Sequence, residues 1–123
     1  MMVSHPPSIF EQLGLPKTNP YPYLRTLLIY PVLEEFLYRG LIYGMLDKLL
    51  NFIKAKWLAI PIVIVIQASL FSLGHAQYTL SGMSVIFFSG LMLGTLRCIS
   101  KGILPCVIAH SLLNLMADIQ SLL

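Results

Sequence analysis

Three short polar groupings stand inside otherwise apolar stretches of this 123-residue chain: Glu34, Glu35 and Arg39; Phe71 and His75; His110 and Asn114. Glu35 and Arg39 are four residues apart, and so are the members of the second and third groupings. Residues at i and i+4 lie on one face of a helix. Glu35 and Arg39 can therefore pair. Glu34 lies about 100° further round the helix, since a turn takes 3.6 residues. One carboxylate becomes a structural partner, and its neighbour stays available as a base. His110 and Asn114 point into one space, and Phe71 and His75 into another. Together these faces can surround a polar pocket with a carboxylate, two imidazoles and an amide.

That inventory suits hydrolysis. A glutamate withdrawn from bulk water can serve as a general base near neutral pH. A histidine beside it helps to orient a water. A histidine and an asparagine can donate hydrogen bonds to a developing oxyanion, worth about 2.7–4 kcal/mol per donor. Seryl chemistry is less favoured, because Ser111 directly follows His110 and neighbours at i,i+1 do not face each other.

The elements that must position these groups follow from composition. Hydrophobic residues make up 57% and charged residues 11%, against about 25% charged in a soluble domain. The mean hydropathy is +0.80. A soluble globule of this size cannot hide so much apolar surface, and disorder requires low hydrophobicity and high charge. Net charge is only +3, and no basic run interleaved with aromatics points to nucleic acid. Four apolar segments, residues 24–52, 57–76, 82–100 and 103–123, each have roughly the 20 residues needed to cross a bilayer. Backbone groups in lipid must be bonded internally. The predicted fold is therefore all-α, an integral membrane bundle of about four transmembrane helices spanning residues 24–123. Residues 1–23 carry five prolines (Pro6, Pro7, Pro16, Pro20 and Pro22). They are expected to form an irregular or interfacial lead-in with one short turn at residues 9–13, and they lack the pattern of a signal peptide.

Lys48, Lys54, Lys56, Arg97 and Lys101 fall on one side of such a bundle, with Lys17 and Arg25 on the other. Five against two places both termini outside the cytoplasm. Cys98 and Cys106 are expected to stay reduced and carry no metal motif. Gly40 with Gly44, and Gly90 with Gly94, permit close helix contact. Packing inside the monomer is the preferred reading over dimerisation.

Against this background the polar residues are conspicuous. A charge at mid-bilayer costs at least about 2.5–3.5 kcal/mol on insertion scales, so such residues face a partner or a water-filled cavity. Any one of them could be a packed residue or a helix-to-helix tie. The whole set points to a site. One geometric difficulty stands out. From a helix start at Leu24, Glu34 lies about 15 Å deep at 1.5 Å per residue, whereas His75 lies near the end of the second segment. Either a break at Pro31 moves Glu34 outward, or the second helix ends within the membrane at a water-filled cavity.

The motifs resemble those of a known family. Pro31-Val-Leu-Glu34-Glu35-Phe-Leu-Tyr-Arg39-Gly40 is similar to the EExxxR signature of the CPBP intramembrane proteases. These include CAAX prenyl endopeptidases and bacteriocin-processing or self-immunity proteins. Phe71-Ser-Leu-Gly-His75 resembles the family's FxxxH motif, and His110-Ser-Leu-Leu-Asn114 its HxxxN motif. The order matches, and each motif lies in a separate apolar segment. The resemblance implies a glutamate-dependent endopeptidase in which Glu34 activates water with help from His75. His110 and Asn114 would form the oxyanion site, Glu35 and Arg39 would support the pocket, and Phe71 would line it. It implies a membrane-anchored protein or peptide substrate with a CAAX-like or C-terminal sorting tail, and a bacterial plasma-membrane location. It implies no cofactor. Familiar members have more spans, so this is a compact form, a fragment, or a chain completed by self-association or a partner membrane protein.

Two alternatives keep the same residues. One is a zinc-dependent protease with Glu34, His75 and His110 as ligands, which are acceptable types in a spacing unlike HExxH. The other is a non-catalytic immunity or assembly protein that binds a peptide in the membrane.

Overall fold

A computed structural model describes residues 24–120. The expected lead-in and its turn at residues 9–13 lie outside the described residues. Four helices make up the described chain, and it contains no strand. Helix α1 runs continuously over residues 25–49, as π-helical Arg25–Ile29, α-helical Tyr30–Glu35, π-helical Phe36–Ile42 and α-helical Tyr43–Leu49. Helices α2 (Lys56–Leu73), α3 (Leu80–Ser100) and α4 (Leu104–Gln120) follow. Two of them, α2 and α3, are long and apolar enough to cross a membrane, with mean hydropathies of 1.8 and 1.6.

The burial pattern inverts that of a water-soluble domain. Glu35, Arg39 and Gln67 are fully buried, whereas Trp57, Leu80, Phe52 and Leu104 stand exposed. Charged residues are almost never fully buried unless paired, and large apolar side chains turned outward fit a lipid surround. The apolar interior is made by Tyr43, Ala59, Val63, Ala68, Phe71, Leu93 and Cys106.

Helix α3 packs closely on α2 because two glycines admit it. A Cβ at Gly94 would collide with the Gln67 amide, and one at Gly90 would come within 3.1 Å of Ala68. Gly40 instead faces Ile103, and Gly44 faces open space. The Gly90/Gly94 pair thus works within the chain. Thr79 caps α3, its Oγ1 accepting from the Gly82 N–H at 3.2 Å. Lys101, with φ 58°, ends α3 in the left-handed conformation. Pro105 sits in the first turn of α4, where its missing N–H does no harm.

Pro31 does not break α1. Its ring would crowd the carbonyl four residues back in a regular helix, and the preceding turn is widened to a π-turn instead. Tyr30 N–H bonds to the Arg25 carbonyl, five residues back. The next bond in that register would run from residue 31 to the Thr26 carbonyl, and proline has no N–H to make it. Asn114 Nδ2 on α4 donates to the Thr26 carbonyl at 2.7 Å. A donor from another helix thus serves the turn that Pro31 interrupts.

Candidate active site

Helix α2 ends at Leu73, and His75 lies in the turn that follows, not on the helix. The second helix stops where the turn that follows it meets Glu34, and α1 stays intact. Gly74 and His75 bond back to α2 through Gly74 N–H to Leu70 O and His75 N–H to Ser72 O. His75 Nδ1 lies 2.7 Å from the Phe71 carbonyl. A carbonyl only accepts, so Nδ1 carries the hydrogen.

That bond leaves His75 Nε2 facing Glu34, whose Oε2 is 3.3 Å away. The two atoms are close without being aligned as a hydrogen bond, and Oε2 accepts no other among the described residues. With Nδ1–H committed, neutral His75 presents a lone pair at Nε2. Both side chains are partly open, Glu34 at 27% and His75 at 20%.

Glu35 has the opposite setting. It is fully buried, and its Oε1 accepts from Arg39 Nη1 at 3.1 Å and from His110 Nδ1 at 2.7 Å. Arg39 Nη2 reaches the Gly90 carbonyl at 3.4 Å. Gln67 Nε2 donates to the same carbonyl at 2.9 Å. Gly90 O is therefore a hub tying α1, α2 and α3 together. Phe71 packs against His75, His110, Tyr38 and Arg39. Its ring centre lies 4.9 Å from that of His75, 5.8 Å from that of His110 and 5.0 Å from that of Tyr38. The Arg39 guanidinium sits 4.4 Å from the same ring centre.

Glu34, Phe71, His75, His110 and Asn114 line one cleft of about 380 Å³, with Glu35 and Arg39 behind its wall. All seven residues singled out in the sequence are thus gathered around it. Tyr30, Tyr78 and Ser89 also line the cleft and stand outside the sequence reading, as does Asp118, a polar residue of the fourth apolar segment that is a candidate by its cost in lipid alone. Two of them carried a usable signal. Tyr30 is four residues before Glu34, and Asp118 four after Asn114, so each shares a helix face with a motif residue. The Gly90 and Thr26 carbonyls had none, because backbone acceptors are invisible in residue type.

The zinc reading needs Glu34, His75 and His110 to converge on one point. Among the described residues no three His, Cys, Asp or Glu side chains are placed to hold one ion. His110 Nδ1 is bonded to Glu35, not to the Glu34–His75 pair.

The family model of the type II CAAX prenyl endopeptidases, described as Rce1-like, matches residues 16–116. The chain belongs to this family. Comparison with curated proteins and with solved structures returns no significant match. Rce1-like proteins are membrane-integral peptidases, which accords with the inverted burial and with the apolar α2 and α3. The matched stretch contains all three motifs.

Proposed function

We propose that this chain is an intramembrane endopeptidase that cuts a membrane-anchored protein near its C-terminus, with Glu34 as general base. The observation that carries this is the approach of Glu34 Oε2 to His75 Nε2 at 3.3 Å in the wall of the cleft. Water bound between substrate and this pair gives a proton to Glu34, and its oxygen bonds to the scissile carbonyl carbon. The carbonyl π-electrons move to oxygen. Asn114 spends one amide N–H on Thr26 and has a second to offer that oxyanion. His110 donates there from Nε2 only when doubly protonated, because Glu35 already takes Nδ1–H. Collapse of the tetrahedral adduct breaks the C–N bond, and the proton held by the Glu34–His75 pair passes to the leaving amine.

In this reading all four helices are membrane-embedded, α2 ends at the depth of the reaction centre, and the partners are lipid and a membrane-anchored substrate. The chemistry needs no cofactor. The test compares wild type with Glu34→Gln at matched levels in a bacterial host deleted for the chain, profiling C-terminal peptides of membrane and secreted proteins by mass spectrometry. A small set of tails kept intact only in the variant supports the proposal. Identical profiles alongside a deletion phenotype overturn it and favour a peptide-binding or immunity role.

A further inference from the structure

Glu34 and Glu35 sit in a six-residue α-helical stretch, Tyr30–Glu35, flanked on both sides by π-helical turns. Such turns are rare, appear mostly as interruptions of α-helices and cluster at functional sites. Each of these two stretches has one carbonyl held by a side chain from the C-terminal half of the bundle. Asn114 holds Thr26 O in the first. Arg97, in the last turn of α3, holds Arg39 O in the second, donating from Nε at 3.0 Å. The first tie is explained by Pro31. No proline lies in the second stretch, so its widened register rests on tertiary contacts. Arg97 makes two of them, since its guanidinium also lies 5.0 Å from the ring centre of buried Tyr43, the residue at which the α-helix resumes.

We propose that Arg97 is a positioning residue for the hydrolytic site, acting through the backbone of Arg39; this rests on the hydrolytic reading above. Arg97 belongs to none of the three motifs and does not line the cleft. Its reach into the site is a chain of bonds. Arg97 Nε holds the Arg39 carbonyl. The Arg39 guanidinium holds Glu35 Oε1. That same oxygen holds His110 Nδ1 and so fixes the ring that faces the cleft. A change of register in residues 36–42 turns Arg39 around the helix axis relative to Glu35. The motif residues then remain present but lose their alignment, and misplacement by an ångström suppresses turnover far more than binding.

The experiment uses the full chain in lipid nanodiscs, a farnesylated CAAX reporter peptide, and Arg97→Met and Arg97→Lys. Methionine keeps length and apolar packing and removes the donor; lysine restores a donor. Arg97→Met is expected to lower kcat about tenfold, the scale of one lost hydrogen bond, with KM within about twofold. Arg97→Lys is expected to recover most of that loss. Hydrogen exchange is read in parallel: amides of residues 36–44 exchange faster in Arg97→Met, while those of 56–73 keep wild-type rates. A Met variant with wild-type kcat, a loss carried by KM, no recovery in Arg97→Lys, or unchanged exchange over 36–44 overturns the proposal. A wild-type protein that fails to cut the peptide counts against the hydrolytic reading, and the exchange comparison then decides the role of Arg97 alone.

Discussion

His110 Nδ1 lies 2.7 Å from Glu35 Oε1, across 75 positions of sequence, while the adjacent Glu34 has its Oε2 3.3 Å from His75 Nε2. Two neighbouring carboxylates are thereby given different partners. Glu35 is buried between a guanidinium and an imidazole; Glu34 is partly open and pairs with His75.

This division predicts different phenotypes for the same isosteric change. Glu34→Gln should reduce kcat by about 10²–10⁴-fold, the range for loss of a general base, with little effect on the thermal midpoint. Glu35→Gln leaves Arg39 buried without its counter-charge and should cost about 3–5 kcal/mol of stability. Differential scanning fluorimetry in detergent, beside turnover of a farnesylated peptide, checks both. Equal loss of stability in the two variants would contradict the assignment.

The tie between Asn114 and the Thr26 carbonyl, in the turn before Pro31, predicts a non-additive pair. Asn114→Ala should destabilise the chain in the wild-type background. In a Pro31→Ala background residue 31 regains an N–H for that carbonyl or its neighbour, and the same change should cost less. The coupling expected for residues sharing one hydrogen-bond network is about 0.5–3 kcal/mol. A thermal or denaturant double-mutant cycle measures it, and strict additivity argues that the two residues act separately.

Among the glycines, Gly94→Ala should destabilise by about 1–3 kcal/mol, the usual cost of overpacking, because the new methyl meets the Gln67 amide. Gly44→Ala meets nothing within 4 Å and should stay within about 0.5 kcal/mol of wild type. Comparing the two unfolding midpoints decides whether the second glycine pair or the first supports the bundle.

Chelation gives a further check. The arrangement of Glu34, His75 and His110 does not form a three-ligand set, so treatment with EDTA followed by desalting should leave turnover within about twofold of untreated protein. Activity lost to chelator and restored by zinc would show that these side chains rearrange around an ion.

Much of this architecture was legible in the residues themselves. The long apolar runs mark the helices because backbone in lipid has few other options. The i,i+4 pairing of Glu35 with Arg39 follows from helix geometry alone, and both atoms meet as that geometry predicts. The behaviour at Pro31 was not legible. Whether a proline breaks a helix depends on whether some other group can serve the orphaned carbonyl, and Asn114 stands 88 positions away from Thr26. The apolar segment over residues 57–76 places His75 near the end of a helix. The chain leaves the helix at Gly74 regardless, and the turn brings the ring level with Glu34. The role of Gly90 as a hub was invisible, since its functional group is a carbonyl that every residue possesses.

The two histidines each commit Nδ1 to a separate acceptor, and among the described residues no hydrogen bond joins the Glu34–His75 pair to the Glu35–His110 pair. Under the proposed chemistry the site is therefore two proton circuits with an open switch between them. A proton taken from water on one side reaches the other only through what occupies the cleft. The substrate, by lying across both pairs, is the group that closes the switch.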